Sequence, residues 1–346
     1  MKVDVKDFGE DASLITLESQ AGVMISFTDL GARIVDWILP DGKNIVLGFD
    51  SAAEYLEKDD YPGATIGRTA GRIKDGRVNV SGQDFQLCQN EGAQTLHGGE
   101  HSFETRLWKF ETFNDGAVAG VHFDLVSPDG DNGYPGELKV RVTHSFDETS
   151  NQWRIDYTAT SDKDTVFNPT NHVYFNLTGD PGQTVDEHEL KLAASRFVPL
   201  KDESEIVRGD IVSVAGSDLD FRGGAKLSQA LESTMPQVQL VGGVDHPFLL
   251  DAAGDLSSEQ ACLSLGALSV HVRTDRPSLV IFTANFGDLG TVFRGRPVVH
   301  HGAITFEAQV APGSQQIPEL GDITLKAGET YKATTIYQVR CETRPV

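Results

Sequence analysis

Long apolar runs are missing from this chain. No stretch approaches the roughly 18 apolar residues that cross a bilayer as a helix, and residues 1–14 mix charged with small apolar side chains and hold no secretory apolar core. Cysteine is scarce. Cys88, Cys262 and Cys341 are odd in number, far apart and without metal-ligand spacing, so reduced thiols in a cytoplasmic setting are expected, and no structural metal. Positive charge is short as well. The 346 residues carry 29 basic and 51 acidic side chains, a formal net charge of −22. Such a surface repels phosphate backbones and anionic lipid, so neither nucleic acid nor a membrane is an expected partner. Helical periodicity is nearly absent, with only residues 51–58 and 225–232 able to hold a turn or two. No alternating strand–helix rhythm exists, which removes the doubly wound and barrel α/β folds.

What is present is alternation. Leu138, Val140 and Val142 stand against Lys139, Arg141 and Thr143; Trp153, Ile155, Tyr157 and Ala159 stand against Arg154, Asp156, Thr158 and Thr160. Val121-Phe123-Leu125 and Leu268-Val270-Val272 repeat the pattern, and residues 23–28, 33–39 and 333–339 read as further strands. Asp41-Gly42, Asp75-Gly76, Asn114-Asp115-Gly116 and Asp129-Gly130 punctuate these runs as turns. Neither a repeat nor a linker divides the chain. The expectation is an all-β fold over residues 1–346, one domain built as a large antiparallel β-sandwich with few short helices. Residues 179–186 and 201–222, polar and rich in Gly and Asp, read as surface excursions.

Two segments break the ordinary pattern of a solvated strand. In Asn168-Pro-Thr-Asn-His-Val-Tyr-Phe-Asn-Leu177, Val173, Phe175 and Leu177 share one face, leaving His172, Tyr174 and Asn176 on the other. An imidazole, a phenol and an amide in one row suit sugar hydroxyls, although a lone strand histidine can equally bond a neighbouring carbonyl. In Ile304-Thr-Phe-Glu-Ala-Gln309, Glu307 points away from the core residues Ile304, Phe306 and Ala308. Under a concave, covered face its carboxylate becomes a candidate general base; on an open face it is an ordinary exposed glutamate. Three clusters add candidate contacts: Gly67-Arg-Thr-Ala-Gly-Arg-Ile73 with Arg68 and Arg72, Leu96-His-Gly-Gly99 with His97, and Val244-Asp-His246 with Asp245. The glycine spacing of the first matches no phosphate loop, and no Gly-x-Ser-x-Gly elbow accompanies the second. His300-His301 is adjacent, and neighbouring strand residues face opposite ways, which is wrong for a metal pair.

Taken together, these pieces resemble the aldose 1-epimerase (galactose mutarotase) family over nearly the whole chain. They fall in the family's order: Leu30-Gly-Ala-Arg-Ile34, Gly63 to Ile73, Leu96-His-Gly-Gly99, Gly133-Tyr-Pro-Gly136, Asn168 to Leu177, Val244-Asp-His246 and Ile304 to Gln309. The Asn-x-Thr-Asn-His-x-Tyr-Phe-Asn-Leu run is the specific one. The resemblance implies a galactose mutarotase-like supersandwich that interconverts sugar anomers, with His172 as general acid and Glu307 as general base. It implies that Arg72, His97, Tyr174 and Asp245 bind the sugar, and that no cofactor or metal takes part. Three positions depart from the family pattern: Gly71 where Asn usually precedes the arginine, and Val280 and Phe282 where many members carry Gln and Tyr. These departures bear on which sugar is taken, galactose, glucose or a reducing disaccharide such as maltose. A hexose-6-phosphate epimerase would bring more cations to the cleft than Arg68, Arg72 and Lys74. A glycoside hydrolase would use an acid pair, Asp245 with Glu307, and a non-catalytic carbohydrate-binding protein would need no matched acid and base. Oligomeric state is not readable from the sequence.

Overall fold

The computed structural model describes residues 1–58, 61–202, 204, 206–286 and 291–341. Their architecture is an antiparallel β-sandwich. A nine-stranded sheet runs in the order Lys109–Asp115, Val118–Ser127, Leu138–Asp147, Gln152–Ser161, Thr330–Cys341, Leu268–Thr274, Ala261–Leu265, Glu189–Leu192 and Ala225–Lys226. A six-stranded sheet runs Tyr174–Phe175, Ile304–Gln309, Ser278–Phe282, Asp245–Leu249, Arg196–Phe197 and Val212–Ser213. The N-terminal residues add a four-stranded meander, from Lys2–Gly9 to Arg33–Ile38. All three sheets feed one apolar cluster that includes Ile25, Phe27, Val142, Trp153, Phe248, Ile281, Ile304 and Phe306.

The alternation read from the sequence is what each long strand buries. Leu138, Val140, Val142, His144 and Phe146 point inward, while Lys139 and Arg141 stay out. The neighbouring strand matches it residue for residue, from Leu138↔Ser161 to Asp147↔Gln152. Burial of such apolar side chains contributes roughly 1.5–3 kcal/mol each before the opposing chain entropy.

Among the described residues α-helix is confined to Ala52–Lys58, Ser228–Leu231 and Pro236–Val241, and none is long and apolar enough to cross a membrane. The last was not anticipated. Pro-Gln-Val-Gln-Leu-Val alternates like a strand, but Pro236 opens a first turn and Gly242, at φ 65°, closes the last.

The segment 168–177 is not the single strand expected. Thr170–Asn171 pairs with Thr65–Ile66, and Tyr174–Phe175 pairs with Ile304–Gln309, so the chain changes partner at His172 and Val173. The asparagines hold that crossover. Asn168 gives its amide to the Val310 carbonyl and accepts from the Val310 N–H, both at 2.9 Å, and Asn171 donates to the Gly63 carbonyl at 2.8 Å. Asn176 donates to three carbonyls, those of Asp180, Gln183 and Gly302. It closes the loop after the strand and does not line the row of polar groups in which the sequence placed it.

Candidate functional site

The face of the six-stranded sheet turned away from the core floors a cavity of about 300 Å³. Antiparallel register explains its composition. Val280 lies directly opposite Glu307, and Pro247 directly opposite Val280. On the other flank Tyr174 pairs with Thr305, which brings His172, two residues back, beside Glu307. One row across the sheet therefore reads His172, Glu307, Val280, Pro247. The next reads Tyr174, Thr305, Phe282, Asp245. Cross-strand neighbours in such rows stand about 5 Å apart, close enough for side chains to interact.

His172 Nε2 lies 3.4 Å from Glu307 Oε1. Both residues are almost fully buried, 4% and 3% exposed, so the concave, covered face on which a general base depends is present. Thr305 Oγ1 and the Gln309 amide, two residues either side on the same face, each donate to the Glu307 carboxylate over a long 3.4 Å. These weak bonds do not repay the loss of water. Burial pushes Glu307 up to about 8, the negative charge of Asp245 adds to the rise, and Thr305, Arg72 and Gln309 only partly oppose it.

His97 sits on a turn at φ 49°, and glycine must follow it: a Cβ on Gly98 would meet the Gly67 carbonyl oxygen at 2.1 Å. The turn locks against the arginine loop, since His97 N–H donates to the Gly71 carbonyl and Gly71 N–H to His97 Nδ1, each at 3.2 Å. Burial first, then the His172 and Arg72 charges, hold His97 well below its ordinary range. That direction favours the neutral ring, and because Nδ1 accepts from Gly71 its proton belongs on Nε2. Arg72 is clamped by Glu91 through bonds of 2.6 and 2.8 Å.

Six residues were expected in the site. The cavity gathers them all: His172, Glu307, Arg72, His97, Tyr174 and Asp245. Gly71, Val280 and Phe282, the three departures, line it too. Arg68 does not. It is 1% exposed and gives its guanidinium to the carbonyls of Ser127, Pro128, Pro135 and Gly136 and to the hydroxyls of Ser127 and Thr165, so it is a strut of the scaffold. His246 faces away from the cavity, buried and pushed down to about 3 by desolvation. His301 Nε2–H donates to the Gly242 carbonyl at 2.8 Å, outside the lining.

Sequence reasoning missed several walls. Tyr61 packs edge-on against His97 at 4.6 Å between ring centres and tilts over His172 at 5.8 Å. Val207 reaches the cavity from the segment taken for a surface excursion and Leu200 from just before it, and Pro312 closes against Gly71, where a Cβ would meet its ring at 2.4 Å. Nothing local marks such residues; only the Tyr61-Pro62-Gly63 turn signal, adjoining the arginine motif, hinted at the first.

A sequence model of the family described as aldose 1-epimerase matches residues 13–338. The aldose 1-epimerase of Escherichia coli K12 is 35% identical over 343 residues, covering 96% of this chain and 97% of that one. The galactose mutarotase of Sus scrofa is 35% identical over 298 residues, 84% of this chain and 82% of its own. Among solved structures, galactose 1-epimerase from Lactobacillus acidophilus NCFM superposes with a TM-score of 0.89 at 32% identity, over 99% of this chain and all of that one.

Proposed function

The chain belongs to the aldose 1-epimerase family and is an isomerase with that activity, and within it we propose that Glu307 is the general base and His172 the general acid. One observation carries the assignment: the imidazole and the carboxylate meet at 3.4 Å on the floor of a single cavity, both shielded from water. Mutarotation needs a proton taken from the C1 hydroxyl while another is given to the ring oxygen O5. Glu307 takes the first and His172 supplies the second. The C1–O5 bond breaks, the open aldehyde turns about C1–C2, and the ring recloses as His172 takes its proton back from the C5 hydroxyl and Glu307 gives its proton to the carbonyl oxygen at C1. No covalent intermediate forms, and the pair ends as it began.

The raised affinity of Glu307 for protons serves this chemistry. A carboxylate that ionises near 8 is a stronger base than an ordinary one and remains partly ionised at neutral pH. Neutral His97, Tyr174, Asp245 and Arg72 hold the sugar hydroxyls and contribute orientation. A free aldohexose fits better than a hexose phosphate: among the described lining residues the one arginine, Arg72, is already held by Glu91, and Arg68 is consumed by the scaffold. Galactose and glucose are the proposed substrates, with maltose as a disaccharide candidate, in a single-domain cytoplasmic enzyme.

Polarimetry on freshly dissolved α-galactose, α-glucose and maltose tests the roles. Glu307→Gln and His172→Asn are each expected to lower kcat by about 10²–10⁴ while the far-ultraviolet circular dichroism stays that of the parent. A folded Glu307→Gln enzyme with near-parental turnover would falsify the base assignment.

A further inference from the structure

We propose that this site favours an aldose carrying an acylamido group at C2 over the parent sugar with a 2-hydroxyl. The inference rests on the proton roles just assigned and follows from the order of side chains along one row. C1 of an aldose has two ring neighbours, O5 and C2. With the C1 hydroxyl at Glu307 and O5 turned to His172, C2 points along the row away from His172. What stands there is Val280, directly opposite Glu307, and then Pro247.

That end of the cavity continues in apolar groups. Leu200 and Val207, bridged to each other, close over it, and Val241 joins them from the helix Pro236–Val241. Val280, Leu200 and Val207 are all buried. A 2-hydroxyl delivered to this wall surrenders its water and gains no partner from Val280 or Pro247. The methyl of an acyl group gains contact with the same side chains. Asp245, two residues from Pro247 on the same face of the same strand, stands at the edge of the wall and offers a carboxylate to the amide N–H. His172 stands on the other side of Glu307 from Val280, with the His97 ring 5.3 Å from its own. The cavity is thus polar on the O5 side of C1 and apolar on the C2 side.

The test is anomer exchange followed by proton nuclear magnetic resonance, comparing N-acetylglucosamine with glucose in the parent enzyme and in Val280→Gln. The parent is expected to show a kcat/KM about tenfold or more higher for N-acetylglucosamine, and Val280→Gln to reverse the ratio, mainly through KM. Val280→Thr, nearly the same shape, shifts the ratio in the same direction by less and serves if the glutamine variant fails to fold. A parent enzyme that prefers glucose, or a ratio unchanged within about twofold in both variants, overturns the proposal. Glucose and galactose turned over through Glu307 while N-acetylglucosamine is not would sink this inference alone; no turnover of any of the three sinks the proton roles with it.

Discussion

The nine-stranded and six-stranded sheets of this sandwich are built from the same residues by different rules. In Leu138–Asp147 burial alternates along the strand, and the outward face carries exposed pairs such as Arg141 with Asp124 at 2.7 Å. In Ile304–Gln309 every residue is buried, with Ile304 and Phe306 in the core and Thr305, Glu307 and Gln309 under the cavity. The first sheet has water on one side and needs only a pattern. The central strands of the second are covered on both sides, so each polar group on them must find a partner, a ligand or a displaced titration. The proposed acid and base sit where covering makes polar groups reactive, and the sheet that meets water is expected to contribute stability alone.

That division can be broken by mutation. Phe123 is fully buried on the nine-stranded sheet, tilted against Phe110 and edge-on to His144. Phe123→Ala should cost about 3–5 kcal/mol of stability, measured by urea denaturation. The fraction that stays folded should keep its kcat/KM. A loss of kcat/KM in the folded protein would show that the two sheets do not divide the work.

The opposite trade is expected at the site. Glu307 is raised from an ordinary carboxylate value to about 8 in the folded protein. Being raised, its contribution to stability is full below the unfolded value of 4.5 and is lost as pH climbs through 8. Glu307→Gln, inactive, should therefore be more stable than its parent at pH 9, by at least about 1 kcal/mol, with the advantage shrinking toward pH 5. Urea midpoints at the two pH values read this directly. Equal midpoints at both would mean that the cavity solvates the carboxylate after all.

The same contrast decides what the sequence reveals. Strands with one wet face were legible from alternation, and so was the fold class. Alternation set His172 and Glu307 opposite a core face but left each open to an ordinary reading, and it was the family resemblance that singled them out as a pair. The break of 168–177 into two ladders was not, since a change of partner leaves side-chain alternation intact. Arg68 and Arg72 looked alike in one glycine-rich motif, yet one is a strut and the other lines the cavity. Their difference lies in carbonyls supplied by residues 127–136, which no local spacing encodes. Val207 was hidden by its setting, since a polar loop gives no sign of the apolar residue it folds inward.

The smallest expected effect is the most specific to the site. After burial, Asp245 is the chief cause of the rise at Glu307, with Arg72 acting against it. Asp245→Asn keeps the shape and removes the charge, so Glu307 should ionise at lower pH. Because the base must be ionised to take the C1 proton, activity falls as pH drops below its pKa, and the acid limb of kcat/KM should move down by a fraction of a pH unit in Asp245→Asn. Arg72→Met should move it up. A weaker grip on the sugar alone would scale the whole profile and leave its midpoint fixed. Opposite displacements of the limb in the two variants would therefore separate electrostatic tuning of the base from sugar binding, and a limb fixed in both would confine Asp245 and Arg72 to holding the substrate.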